Sequence, residues 1–151
     1  MPVTTSPTTE ACDAIVARIN SGTAYNLQVK AQWLEQITEP LETLDETRVD
    51  VVPEAEEQLL ESLAVEDYTN HLIRVWIRRK LNSLDREDIE AAKLLVRKLW
   101  QRLNNYDTTD RRVMVWEASV ENQEMPDKQA LRESGLFIAS ILLRVEVAPS
   151  G

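Results

Sequence analysis

The chain holds one histidine, His71, and one cysteine, Cys12. A Ser-His-Asp triad or a Cys/His zinc site would have to be built around these two residues, and a single thiol cannot close an intrachain disulfide. Cys12 falls on the apolar stripe of an N-terminal helical pattern, so it reads as core rather than as a nucleophile. His71 sits in an alternating stretch and reads as structural. Carboxylates are the abundant chemical group. Glu54, Glu56, Glu57 and Glu61 form one acidic run, whose composition would permit two-carboxylate hydrolysis but which a solvated loop explains more simply. Asp85, Glu87 and Asp88 fit the positive end of a following helix. There is no GxGxxG, Walker-type or GxSxG motif, and three glycines (Gly22, Gly135, Gly151) are too few for a phosphate-cradling loop. The expectation is a chain with no enzymatic role, no cofactor and no metal.

Contact chemistry remains. Trp76 lies between Arg74 and Arg78, and Trp and Arg are the residue types that dominate interface energetics. A surface tryptophan shielded by arginine stems fits the same pattern. Leu136, Ile138 and Leu142 put a second apolar face on the C-terminal strand, which a partner chain or another layer should cover. Met125 and Leu131 are apolar positions in the polar segment 121–134, expected to make a partner contact or to cover the subunit's own core.

Charge is strongly segregated. Of 17 basic and 26 acidic residues, Glu35 to Asp67 hold 12 acids and one base, while Tyr68 to Leu103 hold nine bases and four acids. Unlike blocks suit self-association, with pairs between residues of 35–67 and 74–102 on neighbouring subunits; two solvated faces of a monomer would also fit. The net charge of −9 argues against tight nucleic-acid binding.

The elements that position these residues follow from periodicity. A length of 151 residues suits one domain. Residues 1–9 read as a flexible arm, 10–147 as a single domain and 148–151 as a C-terminal tail. No signal peptide and no apolar run long enough for a membrane span are evident. Ser6-Pro7 can cap a helix with Cys12, Ile15, Val16 and Ile19 on one side, closed by Gly22. Tyr25–Trp33 alternates and predicts a strand. Arg48–Val51 predicts a second that stops at Val52-Pro53, followed by an acidic loop or helical turn over 54–67. Ile73, Val75 and Ile77 alternate with Arg74, Trp76 and Arg78 in a third. Ile89, Ala92, Val96, Leu99 and Leu103 trace one stripe of a long helix capped by Ser83 or Asp85 and ended by Asn104-Asn105. Val113–Val120 and a stretch from Gly135 to Val147 give the last strands, the latter apolar on both faces and so central. Trp33 and Trp100 read as core. The fold class is α+β: an antiparallel or mixed sheet of about five strands with two helices on one face, in the order α-β-β-β-α-β-β. The long loops 34–47, 54–70 and 121–134 are the expected functional surfaces.

Three segments together carry a resemblance. They are Arg48–Pro53 with the strand Ile73–Arg79, the helix Asp88–Leu103, and the closing pattern of a loop and Phe137-Ile138-Ala139-Ser140-Ile141-Leu142-Leu143. Their order is similar to that of the tail-terminator, or tail-completion, proteins of long-tailed bacteriophages, over roughly residues 10–147. Trp76 and the acidic 54–67 stretch have no counterpart in that pattern. The resemblance implies a virion protein of the tail and neck: a homohexameric ring that caps the tail tube, stops its polymerisation and joins tail to head. The implied partners are further copies of the chain, the tail tube protein, a neck or head-closure protein and, in contractile tails, the sheath protein. DNA would pass through the lumen without specific binding, and no membrane is involved. Segment 121–134 would then contact the ring or the tube through Met125 and Leu131. Other readings are a different neck or head-completion protein of the same virion, or a small cytoplasmic enzyme or ligand-binding protein.

Overall fold

Ser6 and Pro7 open the first helix. The Ser6 hydroxyl accepts a hydrogen bond from the Thr9 amide at 3.3 Å, and Pro7 takes the first helical position, where no amide hydrogen is needed. In a computed structural model that describes residues 6–21, 30–33, 48–57, 69–80, 86–120 and 135–148, this helix, α1, runs Pro7–Asn20. Pro7, Thr8 and Thr9, expected in the arm, are therefore helical, because the cap starts the helix that early. Ser21 ends it in right-handed conformation, and Gly22 lies outside the described residues.

Five strands and a second helix follow: β1 Lys30–Trp33, β2 Arg48–Glu57, β3 Thr69–Lys80, α2 Arg86–Leu103, β4 Val113–Val120 and β5 Leu136–Val147. The α+β class and the order α-β-β-β-α-β-β are those expected. The sheet is mixed, in the order β1-β2-β3-β5-β4, with β1 parallel to β2 and the other pairs antiparallel. β5, apolar on both sides, sits between β3 and β4. Tyr25–Val29 of the first expected strand, the side chain of Trp33, and the capping residues Ser83 and Asp85 lie outside the described residues.

β2 corrects the sequence reading. It does not stop at Pro53 but continues to Glu57, with a register shift between Pro53 and Ala55. Proline lacks the amide hydrogen that a ladder needs, and a bulge is where a strand accommodates one.

One side of the sheet is closed by both helices. Ile15 and Ile19 of α1 and Val96, Leu99 and Leu103 of α2 share a buried cluster with Ile73, Val75, Ile77, Phe137, Ile141 and Leu143, and Ile89 packs at its margin. Cys12 is buried there too. α2 lies over β4 and β5, where the half-buried Trp100 donates its indole N–H to the Ala118 carbonyl at 2.6 Å. The helix C-termini meet. Arg18 Nε donates to the Arg102 carbonyl at 3.2 Å, Arg102 Nε donates to the Arg18 carbonyl at 2.8 Å, and the Arg18 guanidinium lies 4.4 Å from the Tyr106 ring centre. Asn105, just past α2, has φ 59°, a left-handed conformation that asparagine tolerates and that ends the helix.

Candidate functional site

The opposite side of the sheet carries the candidate residues. Strand alternation that sends Ile73, Val75 and Ile77 to the helices sends Arg74, Trp76 and Arg78 the other way. Register then sets the neighbours: Arg74 lies between Val52 and Leu142, Trp76 between Asp50 and Ser140, and Arg78 between Arg48 and Ile138. Among the described residues, no helix or strand packs on this side.

Two ion pairs bridge β2 and β3 here. Arg78 Nη2 donates to Asp50 Oδ2 at 2.7 Å, with the two side chains 4% and 0% exposed. The buried Arg78 Nε has no hydrogen-bond partner among the described residues. Arg74 grips Glu54 through two nitrogens, the Nη2 to Oε2 contact being 3.3 Å, and donates to Ser140 Oγ at 3.2 Å. The Arg74 guanidinium also lies 5.6 Å from the Trp76 ring centre, within cation–π range. Trp76, Ile138 and Leu142 are half-buried. The register neighbours of Arg74, Trp76 and Arg78 mix apolar Val52, Ile138 and Leu142 with Arg48, Asp50 and Ser140.

These pairs revise the reading of the charge blocks. Asp50 and Glu54 belong to the acidic block and Arg74 and Arg78 to the basic one, so at these four residues the unlike charges meet within one chain. The cause is the antiparallel β2–β3 pairing, which lays the two blocks side by side. The Arg78 guanidinium is committed to Asp50 and is not an open contact residue. Leu136 is described by backbone alone, opposite Lys80 in the register. Met125 and Leu131, and with them loops 34–47 and 121–134, lie outside the described residues. Of the expected loop 54–70, residues 54–57 and 69–70 are strand.

Trp116 was not singled out by the sequence. It is 57% exposed and donates its indole N–H to Glu146 Oε2 at 2.8 Å. A register shift between Val115 and Glu117 breaks the alternation of β4 there. The consecutive Trp116-Glu117 after Val113 and Val115 was the available signal of that bulge.

His71 is buried on the helix side. Its Nδ1 lies 3.1 Å from Thr8 Oγ1 and its Nε2 2.7 Å from Thr69 Oγ1, so both ring nitrogens are engaged and the residue ties α1 to β3. Ahead of β4, hydrogen bonds from the Thr108 hydroxyl and the Arg112 amide hold the Asp110 carboxyl below its ordinary pKa. Its neighbour Arg112 is raised chiefly by its hydrogen bonds to Glu10, at 2.7 and 3.1 Å. Among the described residues, no group of three or more His, Cys, Asp or Glu side chains could hold a metal ion, and no helix is long and apolar enough to cross a membrane.

No protein-family model matches the chain, and no curated protein matches its sequence. Among solved structures it is similar to the sheath/tube terminator, in the extended state, of an extracellular contractile injection system named PVC. The identity is 11% and the TM-score 0.45, an overlap too loose to fix a shared fold. The match covers 100% of this chain, which spans 59% of the length of that one.

Proposed function

We propose that this chain is a structural protein of a phage-like tail, a tail terminator that assembles into a homohexameric ring, caps the tail tube and joins it to the neck. Its role is assembly rather than catalysis. The sequence resemblance over residues 10–147 suggests the reading. The observation that carries it is the asymmetry of the sheet: two helices cover one side, while the other offers Trp76, Ile138 and Leu142 among paired charges. An apolar band broken by arginine suits a protein partner, since desolvated Trp and Arg are the groups that bind most strongly. A net charge of −9 suits a ring past which DNA slides without adhering.

Within this reading the tube protein, the neck protein and, in a contractile tail, the sheath protein meet the ring, which belongs to the finished virion. Residues 1–9 and 148–151 are proposed as an arm and a tail that flank the domain, apart from the helical Pro7–Thr9. Met125 and Leu131 remain the proposed apolar contacts of segment 121–134. Negative-stain imaging of the purified chain tests the reading, with closed rings of one diameter expected. In a tail-producing strain, loss of the chain should give tubes of irregular length that fail to join heads. Tails of normal length that join heads without the chain would overturn the assignment.

A further inference from the structure

α2 carries a second stripe besides the one that packs on the sheet. Ala92, Val96, Leu99 and Leu103 are buried. On the side away from the sheet, Glu87, Glu90, Leu94, Arg97 and Gln101 recur at intervals of three, four, three and four residues, and all five are exposed. That spacing puts them on one line along the helix, and it is the spacing of a seam between two helices. Leu94, 44% exposed, sits at its centre. Leu94 also lines a groove of about 530 Å³ between α2 and β4, with Trp100 and the 36% exposed Val120. An exposed leucine beside an apolar groove, flanked by charges of opposite sign, is a surface suited to another helix.

The order of residue types along the seam selects the partner. It runs acid, acid, leucine, base, amide. Laid parallel on a second copy, the seam sets glutamate on glutamate and arginine on arginine. Laid antiparallel about Leu94, it sets Glu90 of each chain against Arg97 of the other and Glu87 against Gln101, with leucine near leucine. The seam is thus complementary to itself through a two-fold axis and to a parallel copy not at all. Within the chain Glu90 is held only loosely, 3.9 Å from Lys93. From Glu87 to Gln101 the seam is about 21 Å long. A single helix pair of that length falls at the small end of specific interfaces, so the contact forms in a concentration-dependent way.

We propose that two copies of this chain pair through α2, antiparallel and two-fold about Leu94, each helix covering the other's apolar groove. The pairing goes beyond the ring reading and does not rest on it. Sedimentation velocity of the full-length chain at rising concentration tests it, with circular dichroism to verify folding. Wild type should pair. Glu90→Arg alone and Arg97→Glu alone should each weaken pairing by roughly tenfold or more, because each sets like charges together. Leu94→Asp, which brings two carboxylates to the axis, should do the same. Mixing the Glu90→Arg and Arg97→Glu proteins should restore pairing, since every acid–base contact is then remade between unlike chains. Both changes in one chain should restore it as well. If wild type forms rings, pairing appears as double rings that each single variant splits. Pairing that survives all three single variants, or that the mixture fails to restore, would overturn the proposal. So would a wild type that never pairs or forms single rings only, and single rings would leave the ring reading standing.

Discussion

The two sides of the sheet solve burial by different means. The helix-covered side is closed mainly by Ile, Leu, Val, Phe and Ala in one cluster, with His71 the buried polar residue among them. The reverse side also buries side chains, and apart from Val52 they are polar: Asp50, Arg78 and Ser140. Apolar burial is non-directional and tolerates repacking. A buried ion pair is directional: it adds little net stability over an apolar pair of the same volume, yet losing one member leaves an uncompensated charge. One side therefore holds the fold together, and the other fixes which residue of β2 stands opposite which residue of β3.

Substitutions can separate these roles. The largest expected effect is Asp50→Ala, which strands the Arg78 guanidinium in the interior and should destabilise the chain by about 3–5 kcal/mol in denaturant unfolding. Replacing both members, Asp50→Leu with Arg78→Met, should recover most of that loss. If the double variant is as unstable as the single one, the pair does more than satisfy itself, and the contrast between the two sides is wrong. On the covered side, Leu99→Ala should cost roughly 2–5 kcal/mol. A loss near zero would mean that α2 does not bear on the sheet through that stripe.

Smaller effects sharpen the comparison. Glu54→Gln removes a partly exposed pair and should change stability by no more than about 1 kcal/mol, a difference readable as a small shift of the denaturation midpoint. The smallest effect concerns Asp110. Its carboxyl is held below the ordinary 3.8 by Thr108 and the Arg112 amide. A carboxyl with a depressed folded value stabilises the fold above its unfolded pKa, and that contribution fades as pH falls through the folded value. Asp110→Asn should therefore lower the melting temperature slightly at neutral pH and flatten its acid dependence below about pH 4. Equal slopes in both proteins would show that the two hydrogen bonds do not favour the charged form.

Much of the covered side was legible in the sequence because periodicity reports burial directly. Ile89, Val96, Leu99 and Leu103 recur at helical spacing, and Ile73, Val75 and Ile77 alternate, so each pattern names its own buried residues. The reverse side was legible only as composition. Trp76 between Arg74 and Arg78 marked an unusual strand face, but the partner of Arg78 depends on the β2–β3 register, which no local pattern encodes. The same limit hid the continuation of β2. Pro53 followed by acids looks like a strand end, and only pairing with β3 through a bulge makes it otherwise. Trp116 was obscured for a related reason, since a bulge shifts the alternation by one residue.

The reciprocal bonds between Arg18 and Arg102 bear on how the chain reaches its fold. They join residues 84 apart in sequence, so the polypeptide between them, which includes β1, β2, β3 and most of α2, forms one large closed circuit. Closing a circuit of that length costs more chain entropy in an unfolded chain than after the enclosed segments have ordered. A contact of that sequence separation is expected to fasten late, after the transition state. Late contacts act on escape rather than on arrival: Arg102→Ala should accelerate unfolding while leaving the refolding rate nearly unchanged. That outcome would make the clasp a latch that governs how long the folded domain persists more than how quickly it forms.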